Sequence, residues 1–490
     1  MLFNSFIFAL FFSIVFLIYW VVSGKRLFLQ NLVLLIAGFV FYGWWDWNFL
    51  FLLAGSILFN YTIGLLINQG KSRNTRKLFL LIGLMGNIGV LLIYKYLDFF
   101  VYSFIDLFKL FGISLNFHSL KLLVPLGISF LTFLAISYLI DIYRKQLLPE
   151  KNILNISLSL SFFPIILAGP IQRPKTLLPQ IKQPRIFDYA MASDGLRQIL
   201  WGLFVKIVIA DNCSPYVNDV FSKYGELNGS TLILGAIMFA IQIYADFSSY
   251  SDIAIGSAKL LGFRLMRNFN FPYFAGDIAD FWKRWHISLT SWFRDYIFLP
   301  LAYIISRKIK SERFLLIKTD LVIYSAGIFI AWLLTGFWHG AKFTFIIWGI
   351  IHALLLIGYQ SLRKPRKKFL SRYHLQHDVV VRGLERIFTL FAILIAWVFF
   401  RSDSIEMAFK YLDRSISMSV FQLPILFPVS LLFPIYFYFM VEWFQRNKQH
   451  GLEITDFSKP RALRWSLYFV LLSIMFFYNN TPQEFFYFRF

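Results

Sequence analysis

Long, uninterrupted apolar runs recur along the whole chain and constrain its fold more than any other feature. One helix needs about 20 apolar residues to cross a bilayer, and 58% of the 490 residues are apolar while only 15% are charged. Soluble domains are about 25% charged, so the composition excludes a soluble enzyme, a disulfide-stabilised secreted scaffold and a disordered protein. The runs are continuous, whereas a membrane β-barrel needs alternating strands. The sequence therefore predicts an all-α polytopic membrane protein.

The basic residues predict how these runs cross the membrane. Lys and Arg concentrate in cytoplasmic loops, and Gly70–Lys77, Arg363–Arg372 and Arg446–Arg464 fall on one side when the runs alternate. The first run has no charge in front and Lys25-Arg26 behind it, which predicts a retained helix with an outer N-terminus. About twelve crossings result, with both termini outside. No internal repeat or linker divides the chain, so we expect one membrane-embedded domain, 1–490.

The predicted crossings are apolar runs of differing length. They are Ser5–Val22, Leu27–Trp44, Phe51–Ile67, Leu78–Phe104, Leu122–Ile140, Ile199–Ala210, Leu232–Ala245, Leu321–Phe337, Phe343–Tyr359, Ile387–Phe400, Leu423–Tyr438 and Leu467–Phe477.

Three segments do not fit a simple crossing. Ile153–Leu167 contains Pro164 and ends in Ala-Gly-Pro, which predicts a broken segment that is re-entrant or buried. Tyr296–Ile305 is too short to cross and lies between basic loops, so it is predicted to be re-entrant. Lys259–Arg294 is long, basic and rich in Trp, and we interpret it as a segment on the cytoplasmic surface.

The charge balance and the missing motifs exclude several function classes. A net charge of +22 would suggest nucleic acid in a soluble protein, but here it reflects cytoplasmic loops and contact with membrane lipid, so we expect no nucleic-acid partner. The single cysteine, Cys213, excludes an internal disulfide and a multi-cysteine metal cluster. No GxxxxGK[ST], HExxH or GxSxG motif occurs, which argues against ATP-driven transport, zinc proteolysis and serine hydrolysis.

Histidines in or beside apolar segments are the strongest candidates for chemistry, because polar groups at membrane depth are costly. His339 follows an apolar run between two glycines, so it is either a proton acceptor in a water-restricted pocket or an interfacial helix cap. His352 would lie about 20 Å away on a continuous helix, which predicts a packing residue. The remaining histidines lie in hydrophilic loops and are expected to be solvated: His118, His374, His377 and His450.

A further candidate, His286, ends a segment of tryptophans and cations. As one helix, this segment would place its tryptophans on one face with His286 and its cations, Lys283, Arg284 and Arg294, on another. The cationic face either holds an anionic donor at the cytoplasmic mouth or only contacts anionic lipid.

Asp246 ends another apolar segment and is followed by a run of small hydroxyl residues. The pattern is typical of a site for a polar substrate or of a structural hydrogen-bond cluster. We favour the structural interpretation.

Motifs along the chain resemble, in order, those of the membrane-bound O-acyltransferases, above all the bacterial branch that contains the alginate O-acetyltransferase membrane subunit. One short motif such as Trp-His-Gly is weakly diagnostic, whereas the whole ordered series is specific. The motifs are Pro125–Phe130, Ile136–Asp141, Phe163-Pro164, Ala168–Ile171, Tyr244–Ala254, Asn268–Asn270, Phe281–Leu289, Phe337–Gly340 and Phe485–Phe490.

The resemblance implies a ring of helices around a thin central core, in which a cytoplasmic and an outer funnel meet at a histidine. At the matching positions that catalytic histidine is His339, and His286 is the family's second histidine. The implied function is transfer of an acyl group, usually acetyl, across the bacterial inner membrane toward an extracytoplasmic polysaccharide. A separate extracytoplasmic acetyltransferase or polysaccharide-assembly protein is the implied partner.

We expect acetyl-coenzyme A as the cytoplasmic donor, because a thioester is already activated and needs no ATP site. Its phosphates would be attracted by Lys283 and Arg284, with no tightly bound cofactor and no metal. Three alternatives stay open: a D-alanyl transferase of the same family acting on teichoic acid, a polysaccharide transporter, and a scaffold without acyl chemistry. An internal inverted repeat would favour the transporter, and the sequence has none.

Overall fold

The computed structural model describes residues 1–115, 122–167, 169–314, 317–454, 460–478 and 483–486. Helices dominate these residues, and the strands among them are one antiparallel pair, β1 (Arg313–Phe314) and β2 (Ile317–Lys318), with Arg313 opposite Lys318. The predicted helical class is therefore confirmed, with this short strand pair as an exception among the described residues. The expectation for His118 lies outside the described residues.

The described helices, in chain order, are α1 (Phe6–Leu17), α2 (Leu27–Gly43), α3 (Phe49–Gln69), α4 (Arg73–Leu91), α5 (Leu97–Leu110), α6 (Ile128–Tyr143), α7 (Ile153–Ser161), α8 (Phe163–Ile166), α9 (Pro174–Ile181), α10 (Tyr189–Phe204), α11 (Asp211–Ser222), α12 (Gly229–Leu260), α13 (Ile278–Arg284), α14 (Ile287–Phe293), α15 (Leu299–Lys308), α16 (Thr319–His339), α17 (Phe343–Arg372), α18 (Val379–Arg401), α19 (Ile405–Ser415), α20 (Val429–Phe444) and α21 (Arg461–Phe477). Wide π turns join α4 to α5, α10 to α11 and α14 to α15. They keep these stretches helical.

The chain divides into two compact units, which we describe separately. One comprises Met1–Leu200 and Tyr250–Met266, and the other comprises Trp201–Ser249 and Arg267–Phe490. Helices α10 and α12 are each divided between the two. The expectation of one integrated domain stays a prediction.

Six helical stretches of the described residues are long and apolar enough to cross a membrane, judged by length and composition: Phe49–Gln69, Arg73–Leu110, Gly229–Leu260, Thr319–His339, Phe343–Arg372 and Val379–Arg401. Four shorter apolar helices accompany them: Phe6–Val22, Leu27–Gly43, Ile128–Tyr143 and Val429–Phe444. The chain is accordingly a polytopic integral membrane protein.

The predicted break within Ile153–Leu167 is confirmed in the first unit. Helix α7 ends at Ser161 and α8 begins at Phe163, while Phe162 between them has an extended backbone with ψ 104°. Pro164 lies in the first turn of α8, where its missing N–H costs no helical hydrogen bond. Both short helices are largely buried.

The apolar segment before Asp246 does not end there. Helix α12 continues through this residue to Leu260, so the predicted crossing Leu232–Ala245 is part of a longer helix. The hydroxyl residues do not stop the helix because they bond to it: the Ser249 hydroxyl donates to the carbonyl oxygen of Asp246 at 2.7 Å. Such a hydrogen bond to a preceding carbonyl oxygen gives the serine hydroxyl a partner inside the helix.

The prediction of a surface segment at Lys259–Arg294 is wrong for the aromatic residues of its second half, and its cytoplasmic location stays a prediction. In the second unit, Phe281, Trp282, Trp285 and His286 are all buried. Their large aromatic surfaces are removed from solvent, which outweighs the basic composition of the segment. The segment is two short helices, α13 and α14, instead of one continuous amphipathic helix.

His374 and His450, which were both expected to be solvated, differ in their exposure. His374 is exposed, as expected. His450 is only 2% exposed, so that expectation is wrong. The turn that carries it is packed in the second unit, where the backbone of Gly451 lies against the Trp201 indole.

Candidate active site

The candidate catalytic histidine, His339, is positioned by a sharp reversal of the chain. It is the last residue of α16, and α17 begins at Phe343, so α17 turns back alongside α16. Gly340 makes the turn, and a side chain there would overlap the ring of Phe345. The glycine therefore permits the tight packing that places His339 inside the second unit, where it is 4% exposed.

Three imidazoles and two indoles alternate through this unit, and we call them the histidine row: His286, Trp338, His339, Trp348 and His352. The ring centroids are separated, in that order, by 6.3, 4.9, 4.9 and 4.8 Å. All five side chains are buried. The row therefore brings together histidines that are far apart in the sequence.

The expected separation of about 20 Å between His339 and His352 is wrong. Both imidazole centroids lie within 5 Å of the Trp348 ring, so the two histidines are less than about 10 Å apart. The expectation assumed a continuous helix, and the reversal at Gly340 removes that assumption. His352 remains a packed residue: it is fully buried between the rings of Trp282, Trp332 and Trp348.

His286 lies in a strained turn between α13 and α14. Its φ of 41° and ψ of 53° are in the left-handed region, which is uncommon for a residue other than glycine. Two backbone hydrogen bonds hold the turn against the preceding segment: Ile287 N–H donates to Asn268 O, and Asn270 N–H donates to Arg284 O, both at 2.8 Å. Strain of this kind often accompanies a functional site.

The ring of His286 is enclosed by apolar groups. It lies 4.5 Å from the Phe247 ring centroid and is 1% exposed. Burial lowers the pKa of His286 to about 3, because a low-dielectric environment disfavours the charged imidazolium. The ring is therefore neutral near physiological pH.

A cavity of about 380 Å³ lies between α13, α14 and α16 in the second unit. Its walls are mainly apolar and include Trp282 and Trp332, which also pack against His352. Thr335 lines it one helical turn before His339. The cavity thus approaches the histidine row from one side.

The cations predicted to hold the donor do not all belong to this cavity. Lys283 lines it together with Arg294, and both side chains are exposed. Arg284 is not among the described lining residues and forms an ion pair with Asp280 at 2.9 Å. The described cavity lining therefore includes Lys283 and Arg294, which pairs with Asp295 at 2.8 Å, and does not include Arg284.

Sequence reasoning missed Lys206, whose side chain is 1% exposed. Its ammonium lies 2.6 Å from the Asp246 carboxylate and 2.7 Å from that of Asp211. The backbone N–H of Phe486 donates to the other oxygen of Asp246 at 2.7 Å. These contacts confirm the structural interpretation of Asp246. A lone lysine inside an apolar run was the signal that could have identified the cluster.

Comparisons with known proteins identify the family of this chain. The family model described as MBOAT, membrane-bound O-acyltransferase family, matches residues 145–401. The chain is 35% identical over 427 residues to the probable alginate O-acetylase AlgI of Pseudomonas aeruginosa, which covers 86% of this chain and 76% of the relative. It is 33% identical over 449 residues to the peptidoglycan O-acetyltransferase of Helicobacter pylori, which covers 86% and 80%. A match to the teichoic acid D-alanyltransferase of Bacillus subtilis, 31% identical over 251 residues, covers 50% of this chain and 61% of that protein. The chain therefore belongs to the membrane-bound O-acyltransferase family and is an O-acyltransferase.

Proposed function

We propose that this chain passes an acetyl group from cytoplasmic acetyl-coenzyme A toward an extracytoplasmic polysaccharide, with His339 as the catalytic residue. The observation that supports this most strongly is the buried imidazole of His339, one helical turn from a cavity with Lys283 and Arg294 in its lining. Apolar walls suit the acyl end of a donor, and the two cations suit its phosphates.

The chemistry needs only groups that the site contains. The hydroxyl oxygen of the acceptor bonds to the thioester carbonyl carbon while its proton passes to an imidazole nitrogen. The carbon–sulfur bond then breaks, and the leaving thiolate takes the proton from the imidazolium. A second route, in which His339 is acylated transiently, uses the same residues. His286 is the second proton-accepting candidate in either route.

The relatives favour acetyl transfer over D-alanyl transfer. The two O-acetyl relatives each align with 86% of this chain, whereas the D-alanyl relative aligns with 50%. D-alanyl transfer to teichoic acid is the second candidate. Acetyl transfer and D-alanyl transfer make different demands on the cytoplasmic face. Acetyl transfer from a nucleotide donor needs cations at the cavity, whereas D-alanyl transfer from a carrier protein needs a wider docking surface.

We further propose the setting in which this reaction takes place. The twelve crossings, the ring with two opposed funnels and the extracytoplasmic termini follow from the charge pattern and from the family. We place the chain in a bacterial inner membrane, with an extracytoplasmic transferase or polysaccharide-assembly protein as its partner. The six long and four shorter apolar helices support a multi-pass arrangement.

The central test replaces His339 with alanine. We expect the ester content of the surface polysaccharide to fall to the level of a gene deletion, because the proton-transfer group is lost. Protein level and membrane insertion should be unchanged, as checked by immunoblot of washed membranes. His352→Ala is the comparison variant, and it should retain substantial activity because we interpret His352 as a packing residue among Trp282, Trp332 and Trp348. Normal ester content in the His339 variant at normal protein level would remove this residue from the mechanism.

A further inference from the structure

The hydrogen bonds of His286 determine which of its nitrogens carries the proton. The Nδ1 atom lies 3.0 Å from the side-chain oxygen of Asn268. The same oxygen faces the backbone N–H of Ser288 at 3.4 Å and accepts from the Ser288 hydroxyl at 2.8 Å. A backbone N–H can only donate, so the atom it faces is the amide oxygen, and His286 Nδ1 must donate to it. In the neutral ring, Nε2 then holds the lone pair.

The hydrogen bond of His352 has the opposite consequence. The indole N–H of Trp282 lies 3.3 Å from His352 Nδ1. An indole nitrogen can only donate, so His352 Nδ1 must hold the lone pair, and the proton of the neutral ring is on Nε2. This assignment also excludes a doubly protonated ring at His352.

We infer that the structure holds His286 and His352 as opposite tautomers, so that His286 presents a proton-accepting Nε2 and His352 presents an N–H that can only donate. Asn268 and Ser288 are the positioning residues for His286, and Trp282 is the positioning residue for His352. Neither Nε2 has a hydrogen-bond partner among the residues that the structure describes.

This inference deepens the proposed function and its catalytic part rests on it. Of the two histidines that flank His339 in the row, only His286 can take a proton from an acceptor hydroxyl or return one to a leaving thiolate. His352 can act only as a hydrogen-bond donor. The fold therefore separates base chemistry, on the His286 side, from packing and donation, on the His352 side.

The tautomers can be read directly, without an activity assay. The full chain, labelled with ¹⁵N-histidine and reconstituted in phospholipid vesicles, would be examined by magic-angle-spinning NMR at neutral pH. Signals are assigned by their loss in His286→Gln and His352→Gln. We expect protonated Nδ1 with unprotonated Nε2 for His286, and the reverse for His352. The same tautomer at both residues, or the reversed pair, would overturn the inference whether or not the chain transfers acetyl groups.

The positioning role is tested by changing the acceptor of the His286 proton. Asn268→Leu removes that acceptor, whereas Asn268→Asp retains an oxygen at the same place. We expect the leucine variant to lose the Nδ1–H signal and to lower kcat about 100-fold, the smaller end of a general-base contribution, with little change in KM for the donor. The aspartate variant should retain the signal and most of kcat.

Ser288→Ala is the milder variant if the leucine side chain prevents folding. It removes one of the three donors that fix the orientation of the Asn268 amide, so we expect a mixed tautomer signal and a partial loss of kcat. Variants that keep the His286 tautomer of the wild type yet lose kcat, or lose the tautomer yet keep kcat, would show that Asn268 and Ser288 have no positioning role.

Discussion

Neighbouring cations can have different surroundings although they are adjacent in the sequence. Lys283 lines the cavity beside α16, while Arg284 is held by Asp280 one turn earlier on α13. At the residue scale this difference offers an internal control, because substituting either Lys283 or Arg284 alters the charge of the same helix. The sequence alone grouped the two residues as one donor-binding pair.

We expect Lys283→Glu to weaken binding of a coenzyme A thioether to the purified protein by about tenfold or more. A charge-assisted hydrogen bond contributes about 1.5–3 kcal/mol, and the reversed charge also repels the phosphates. The difference from wild type should narrow as salt rises, because exposed charges are screened beyond about 10 Å at 0.1 M. The measurement is a calorimetric titration at two salt concentrations.

Arg284→Glu is the matched control for that titration, and its donor affinity should stay close to that of wild type. Equal losses in both variants would mean that the helix contributes a diffuse positive field. Unchanged affinity in a folded Lys283 variant would leave contact with anionic lipid as the role of this residue.

At the scale of secondary structure, the histidine row depends on how closely α16 and α17 pack. Gly336 and Gly349 face each other across these helices, and a methyl group on Gly349 would overlap the carbonyl oxygen of Trp332. Small residues allow such close approach between membrane helices. The same approach sets the position of Trp348, which separates His339 from His352.

Gly349→Ala is therefore expected to destabilise the protein by about 1–3 kcal/mol, the usual cost of overpacking a core. Gly358→Ala, on the same helix, meets no heavy atom within 4 Å. It should be neutral or slightly stabilising, because alanine has the higher helix propensity. Thermal unfolding followed by tryptophan fluorescence would compare the two, and equal midpoints would contradict the close packing of the helices.

The buried cluster around Lys206 connects α11, α12 and the segment that contains Phe486. Replacing Lys206 with methionine would leave two carboxylates buried without their cation. Removing one partner of a buried pair costs about 3–5 kcal/mol, so we expect little folded protein. The measurement is the monodisperse fraction in size-exclusion chromatography after detergent extraction.

Lys223→Met is the control for this cluster. Lys223 pairs with Asp219 at 2.6 Å, but both side chains are exposed, where ion pairs contribute little. No loss of folded protein is expected. A stable Lys206 variant with normal yield would show that the cluster is dispensable for folding.

For the whole molecule, the charge pattern predicts which loops face each side of the membrane. Cys213 is the single cysteine, so Cys213→Ala gives a background for labelling. In that background, a cysteine at Lys71 should react with an impermeant maleimide only after the cells are permeabilised. A cysteine at Glu226 should react in intact cells, because the segment Asp211–Gly229, which includes α11, carries one basic residue, Lys223. The opposite labelling pattern would invert the proposed topology.

Prediction from sequence succeeded where a property depends on neighbours along the chain. Apolar runs predicted a helical membrane protein because each run alone is long enough to cross a bilayer. The break within Ile153–Leu167 was predictable because proline acts on its own helix. His339 and His286 could be named as candidates because their motifs are local strings of residues, and their catalytic roles stay predictions.

Tertiary structure alone decided the rest of the site. Hydropathy predicted separate crossings on the two sides of Gly340, but it could not predict that their packing places His352 against the same indole as His339. Basic composition could not reveal that Trp285 and His286 are buried, because burial depends on the partners that pack against a segment.

The sequence by itself therefore determined that this chain is a membrane protein of O-acyltransferase type and which histidines to examine. The distances between them, the separation of Lys283 from Arg284 and the proton positions on His286 and His352 were decided by the tertiary structure. The physical reason is that these properties arise from contacts between residues far apart in the chain, such as Asn268 with His286 and Trp282 with His352. Such contacts exist only once the helices have packed.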